Sequence, residues 1–542
     1  MTADTMIPGE PVPVTLLSGF LGSGKTTLMK NILEQTHAVR PDMKKYKVAV
    51  LVNDMAEVNI DATLVRDTKL LQREEKLVEL HNGCICCTLR EDLIKELADL
   101  ASQNKFDAIV VESTGVSDPQ EVAETFAVEV AGPGTQENAP EDWELASIVE
   151  KLRGKSSLNE LARLDTCVTM VDCAAFKANL STAAELQDKF KGSADEGDDR
   201  NVGPLLMNQI EFADVILVSK CDLVTEEEAL SVERAIRALN PGAKVMRAHR
   251  GDIPLANVLD TKLFSMEKAS KSAGWLQQMR GEKVVPETEV YGIESFVYKA
   301  RTPFHPKRFE DFLIKYFLVK MMDTETIEEE PEEPEDGTED METDSSAEEK
   351  CQKEAEEADA MTADRLEAES SKRQAIMRQD FGNILRSKGY IWLAGRDDMV
   401  GEWSQAGAIG EFSCGGFWYA SVPKEMWPEK GTPQYEMLMK DVACPVLMDR
   451  RQEIVFIGQN LNEEAIRNAL DDCLVKQEEL RRRGRSASVS VHGWKLGLTY
   501  LEDSFPLWVE RAEHDHHHEM EEEDEEEEVQ DKASTPLKEI NQ

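Results

Sequence analysis

Short apolar runs separated by amphipathic stretches set the pattern of the first half of the chain. Val12–Leu17, Val48–Val52, Ile109–Val111, Cys167–Val171, Val215–Val218 and Lys244–Ala248 are each brief and rich in β-branched residues. Most are continuously apolar rather than alternating, as expected for strands covered on both faces, and the stretches between them have helical spacing. The pattern predicts an α/β domain with a parallel sheet over 11–270, after a short tail over 1–10. Gly132–Asp142 and Lys191–Asn201 read as loop insertions. A linker over 271–290 leads to a different order: strand Ile293–Tyr298, helices Pro306–Lys320 and Ala375–Ser387, strands Ile391–Ala394, Glu411–Ala420 and Glu453–Ile457, and helix Asn462–Leu474. These elements predict a smaller α+β domain over 291–500 with one antiparallel sheet. Its aromatics Trp392, Trp403, Phe417, Trp418 and Trp427 read first as packing, and second as a partner-binding face. Cys414 and Cys444 read as core.

The chemistry sits where the first-half runs end. Gly19-Phe-Leu-Gly-Ser-Gly-Lys-Thr26 follows the first strand and precedes a helix, the context a phosphate loop requires. In such a loop Gly19, Gly22, Ser23 and Gly24 turn backbone N–H groups toward phosphate, Lys25 reaches the β/γ oxygens, and Thr26, followed by Thr27, offers its hydroxyl to Mg²⁺. The Ile109 run ends in Glu112-Ser-Thr-Gly115. Glu112 is placed to order the attacking water or the waters of Mg²⁺, and Gly115 to donate its N–H to the γ-phosphate. A competing role for Glu112 is capping a following helix. Asp54, Glu57 and Asp61 leave the Val48 run toward the same edge, as Mg²⁺ or zinc ligands or as solvated loop charges. The Val215 run delivers Ser219-Lys-Cys-Asp222, in which Asp222 matches the ring N–H and amine of guanine and Lys220 lies along the base. Asp222 could instead cap the helix that follows.

Gly83-Cys-Ile-Cys-Cys-Thr-Leu-Arg90 places Cys84, Cys86 and Cys87 within four residues. Clustered thiolates suit zinc and leave one of its four positions for another ligand. Buried small hydrophobes or a redox pair are the plainer alternatives.

Together these motifs resemble the CobW-like family of phosphate-loop GTPases, also at Val52-Asn-Asp-Met-Ala-Glu-Val-Asn-Ile-Asp61, Gly292–Tyr298 and Asp449–Gly458. The resemblance implies GTP binding, slow hydrolysis and handling of zinc or cobalt at the Cys-x-Cys-Cys element. It also implies a phosphate-loop domain followed by a CobW C-terminal-like domain. In that family Asn more often stands where this chain has Ser219. The expected activity is a GTPase that uses GTP and Mg²⁺ and transfers Zn²⁺ to a client metalloprotein. A cobalt-handling GTPase (Co²⁺ for cobalamin synthesis or nitrile hydratase activation) and a non-catalytic zinc buffer are the alternatives. A nucleotide- or metal-dependent homodimer fits either.

Charge changes the picture at two places. The net charge of −44 is concentrated in 323–370, with 22 acidic and 3 basic side chains, and in 501–542, with 16 and 3. Such segments bury too little apolar surface to offset ordering entropy, so both read as disordered, one an insertion and one a tail. Their field argues against nucleic acid as a partner. The tail carries His514, His516, His517 and His518, weak zinc ligands or incidental members of a solvating run. Ten cysteines without a paired framework, and no long apolar run, point to a reducing, cytoplasmic setting without a membrane.

Overall fold

The computed structural model describes residues 10–37, 46–52, 77–79, 88–127, 155, 157–184, 200–265, 293–321, 365–428, most of 430–479, 489–490, 493–494, 501–506 and 508. The first domain is built on a seven-stranded sheet in the order β3-β2-β4-β1-β5-β6-β7. Its strands are β1 (Val12–Ser18), β2 (Val48–Val52), β3 (Leu77–Glu79), β4 (Ala108–Glu112), β5 (Ala162–Asp172), β6 (Val215–Ser219) and β7 (Lys244–Ala248). Every pairing is parallel. Helices α1 (Lys25–His37), α2 (Thr88–Ser102), α3 (Pro119–Ala127), α4 (Phe176–Ser181), α5 (Val202–Phe212) and α6 (Glu226–Leu239) cover it.

The continuous apolar runs are explained by packing on both faces. On β1, Val14 and Leu16 join a core with Leu93 and Leu97 of α2 and Phe126 of α3. Leu17 joins a second core with Leu28, Met29 and Ile32 of α1. Each such buried side chain contributes roughly 1.5–3 kcal/mol. All six expected strands are present. β5 starts at Ala162, ahead of its apolar run, and β3 was not expected because three residues carry no periodicity. The loop expected over Gly132–Asp142 lies outside the described residues.

In the second domain, β8 (Ile293–Ala300), β9 (Leu318–Met321), β10 (Asn383–Ile391), β11 (Met399–Ala406), β12 (Ile409–Phe417) and β13 (Gln452–Gln459) form one sheet, ordered β8-β13-β10-β11-β12-β9. The sheet is mixed rather than purely antiparallel, because β9 runs parallel to β12. Helices α7 (Pro306–Tyr316), α8 (365–381) and α9 (Glu463–Cys473) pack on it. Stacked rings fill its core, with Phe304 and Phe309 centroids 4.6 Å apart.

Two helix expectations need correction. The helix from Pro306 stops at Tyr316, and Leu318–Met321 turns outward to pair with β12. The helix expected over Ala375–Ser387 ends at 381, where Gly382 takes a φ of +87° against the Asn460 carbonyl, and the chain re-enters the sheet as β10. A side chain at Gly382 would lie 2.2 Å from that oxygen, so the stop is steric. Trp392, Trp403 and Trp418 are core, whereas Phe417 is exposed, Trp427 is half-buried and Cys414 is only partly covered. Cys444 lies outside the described residues.

The end of the acidic insertion also differs from expectation. Residues 365–370 are the first turns of α8, and Ser370 is fully buried. Glu367 accepts the Ala183 N–H at 2.9 Å, and Gln374 donates to the Ser181 carbonyl at 2.6 Å, joining α8 to the first domain. Deleting 323–364 is therefore expected to leave the melting temperature and GTP turnover nearly unchanged, since that segment has no apolar periodicity. Extending the deletion through 381 is expected to lower the melting temperature by several degrees, because a packed helix is lost. Thermal melts of the two variants check this.

Candidate functional site

Because the first sheet is parallel, its strands open their C-terminal ends along one edge, where three of the expected site segments meet. From β1 the chain enters the loop Gly19–Gly24 and then α1, which starts at Lys25. Gly19 has a φ of +129°, and a Cβ there would lie 2.3 Å from the Met170 carbonyl of β5, so only glycine fits. Ser23 donates its N–H to the Phe20 carbonyl at 3.0 Å, closing the loop. Lys25 is buried and folds back over the loop, donating to the carbonyls of Gly19 at 2.6 Å and Phe20 at 3.3 Å. The Ser23 hydroxyl is buried with no hydrogen-bond partner among the described residues. A lone buried donor beside an ammonium group and a helix N-terminus suits a bound phosphate. Thr26 is half-buried and Thr27 exposed on the first turn of α1.

From β4 comes Glu112, 4% exposed and in register with Leu17 of β1 and Val52 of β2. Among the described residues it is not the cap of the helix that follows. That place belongs to Asp118, whose carboxylate accepts the Gln120 N–H at 2.9 Å at the start of α3. Gly115 lies against the phosphate loop so closely that a Cβ would come 2.6 Å from the Leu21 nitrogen. The loop after β4 and the phosphate loop are thus in direct contact.

From β6 comes Ser219, whose hydroxyl donates to the Ser23 carbonyl at 2.6 Å. This short side chain ties the loop after β6 to the phosphate loop. Lys220 adopts φ +54° and pairs with Asp172 at 2.6 Å, while the other Asp172 oxygen accepts the N–H groups of Ala174 and Ala175. Asp222 is exposed and leaves the next helix to Thr225, which forms a capping box with Glu228. That finding removes the capping alternative for Asp222. Sequence reasoning missed Asp172 and Cys173, which precede no recognisable motif. Cys173 touches Cys221, and burial, then its neighbour, push its thiol up to about 12. Both thiols stay protonated at neutral pH, since burial raises Cys221 as well.

Asp54, Glu57, Asp61, Cys84, Cys86, Cys87, His514, His516, His517 and His518 lie outside the described residues. Among the described residues, no group of three or more His, Cys, Asp or Glu is arranged to hold a metal ion, and no helix is long and apolar enough to cross a membrane.

The nucleotide-binding domain of the CobW/HypB/UreG family matches residues 13–247, and the C-terminal domain of the cobalamin synthesis protein cobW matches residues 360–474. A zinc-regulated GTPase metalloprotein activator 1 of Dictyostelium discoideum is 35% identical over 480 residues, covering 87% of this chain and 81% of that protein. The chain belongs to the CobW family of phosphate-loop GTPases. The Escherichia coli zinc chaperone YjiA is 31% identical over 264 residues, 48% of this CobW-family chain and 64% of that protein. A crystal structure of Zn(II)-bound YjiA GTPase covers 86% of this chain at 18% identity, with a TM-score of 0.29. The first matched segment spans the seven-stranded sheet, and the second spans β10–β13 of the six-stranded sheet, with β8 and β9 outside it.

Proposed function

We propose that this CobW-family GTPase couples GTP hydrolysis to the binding and release of zinc for a client metalloprotein. The observation that carries the reading is the convergence of the phosphate loop, Glu112–Gly115 and the Ser219 loop on one edge of the parallel sheet. The same edge supports a place for the metal. β3 ends at Glu79 and α2 begins at Thr88, so the segment holding Cys84, Cys86 and Cys87 connects a C-terminal strand end to a helix N-terminus. β3 lies three strands from β1, about 14 Å across the sheet. The relatives described above, which carry zinc in their names, favour zinc over cobalt.

In this reading Lys25 leaves the Gly19 and Phe20 carbonyls for the β/γ-phosphate oxygens, and the Ser23 hydroxyl gains a phosphate partner. Thr26, with Asp54 and Glu57 as candidates, would hold Mg²⁺, which neutralises developing charge on the phosphates. Glu112 orders the attacking water. The water oxygen bonds to the γ-phosphorus, the bond to the bridging oxygen breaks, and GDP and phosphate leave. Gly115 responds to the presence of the γ-phosphate through its N–H. Loss of that group moves the loops on this edge and alters the zinc ligands, an ordered-to-loosened switch. The His514–His518 segment adds weak zinc capture.

Asp222 accepts both guanine donors, and Lys220 lies along the base face. Asp222→Asn should weaken GTP at least about tenfold and improve xanthosine triphosphate, because one acceptor becomes a donor. Competition titrations with labelled GDP check this, and equal affinity of the unaltered protein for GTP and ATP would overturn the assignment.

A further inference from the structure

Helix α5 touches the γ-phosphate-sensing loop and the second domain within three residues of its own length. Gln209 is fully buried, and its Nε2 donates to the Gly115 carbonyl at 3.4 Å and the Ser117 carbonyl at 3.2 Å. The Gln209 backbone carbonyl accepts from the Thr169 hydroxyl at 2.8 Å, which meets Ser18 at the end of β1 at 2.9 Å. The side-chain oxygen of Gln209 is buried with no hydrogen-bond partner among the described residues. An amide with one end engaged and one end waiting can exchange partners when the loop shifts, so a second arrangement need not sacrifice a bond.

Two residues further on, Glu211 meets Arg386 of β10 in a two-pronged pair of 2.9 and 3.1 Å. Their side chains are 9% and 1% exposed. Arg386 is held from its own domain by the Ser404 hydroxyl at 3.1 Å and the Gln405 carbonyl at 3.4 Å. At the other end of α5, Gly203 lies against the Ala406 carbonyl, where a Cβ would be 3.5 Å away. One apolar core runs through both domains here, including Val202, Leu206 and Ile210 of α5 with Leu385, Ala406 and Val455 of the second sheet. A planar, bidentate, desolvated pair fixes direction as well as distance, so a tilt of α5 cannot be absorbed by side-chain slack.

We propose that Gln209 is a positioning residue for the Gly115 loop and that the Glu211–Arg386 pair carries the movement of α5 to β10 and β11, so that the second domain is seated differently in the GTP and GDP states. The inference rests on Gly115 responding to the γ-phosphate. It makes the second domain part of the nucleotide response, with β10–β11 as the segment that changes.

Hydrogen exchange of the full chain, bound to Mg²⁺ with a non-hydrolysable GTP analogue or with GDP, tests it. Amides of 383–391 and 399–406 are expected to differ at least about fivefold in exchange rate between the two states, the lower end of ordinary coupling between sites. Gln209→Leu and the apolar pair Glu211→Leu with Arg386→Met should each abolish that difference while 113–118 still responds to nucleotide. The paired substitution removes both members of the buried pair together, which guards its folding. Arg386→Lys should retain a reduced difference, since a point charge replaces a fork. Identical exchange of β10–β11 in both states, or a difference that survives both variants, overturns the inference. No response at 113–118 in the unaltered protein overturns the role of Gly115 itself, and nucleotide-dependent zinc affinity without a β10–β11 response leaves the zinc function standing and this inference refuted.

Discussion

Lys25→Ala is expected to lower kcat/KM for GTP by at least about 10²–10³-fold, the scale for removing one fixed charge-stabilising group from a transition state. The side chain is buried and already bridges the Gly19 and Phe20 carbonyls, so its ammonium is preorganised at the mouth of the phosphate loop. Phosphate oxygens give it charged acceptors, and the attraction grows as the γ-phosphoryl group loosens. Alanine removes that charge and the side chain's two bonds to the loop. Multiple-turnover phosphate release reads the effect, with the melting temperature as the check on folding. Turnover within about threefold of the unaltered protein would place the hydrolytic centre elsewhere.

The second large effect concerns the metal. Replacing Cys84, Cys86 and Cys87 together by serine is expected to weaken the tight zinc equivalent on the order of 10³-fold or more, because neutral hydroxyls replace charged, soft donors. The acidic histidine segment at 514–518 should keep a weak zinc-binding capacity, and deleting 509–542 should remove it. Chelator competition on the tail-deleted protein isolates the first effect. Undiminished tight binding in the triple variant would move the site away from these thiols.

What the sequence made legible follows from how local each signal is. The phosphate loop, Glu112 and Ser219–Asp222 each sit at the end of an apolar run, and strand exits of a parallel sheet are brought together by topology alone. Glu112 and Leu17 fall in register as the runs imply. The brace from Ser219 to Ser23 was not legible, because a shorter side chain in place of an amide reads as a loss until the loops are seen to approach to 2.6 Å. Asp172 was hidden for the same reason: its partner Lys220 is distant in sequence and meets it only across adjacent strands. In the second domain the first part of β10 was read as helix and its strand was expected only from Ile391 to Ala394, since 375–387 continues a helical spacing that the steric stop at Gly382 interrupts. β11 and β9 draw their strand character from neighbours rather than from their own composition, so local propensity did not announce them. The tie between α5 and Arg386 spans separate domains and leaves no spacing in the chain at all.

Coupling between nucleotide and zinc is the central claim, and zinc affinity measured in the two nucleotide states tests it most directly. Competition titrations against a chelator, on the tail-deleted protein with Mg²⁺ and either a non-hydrolysable GTP analogue or GDP, should give zinc dissociation constants differing by about 5–150-fold, equivalent to about 1–3 kcal/mol of coupling. By linkage, zinc must shift the GTP-analogue/GDP preference by the same factor. Equal zinc affinities in the two states would contradict the account, leaving a GTPase that binds zinc without using GTP to release it.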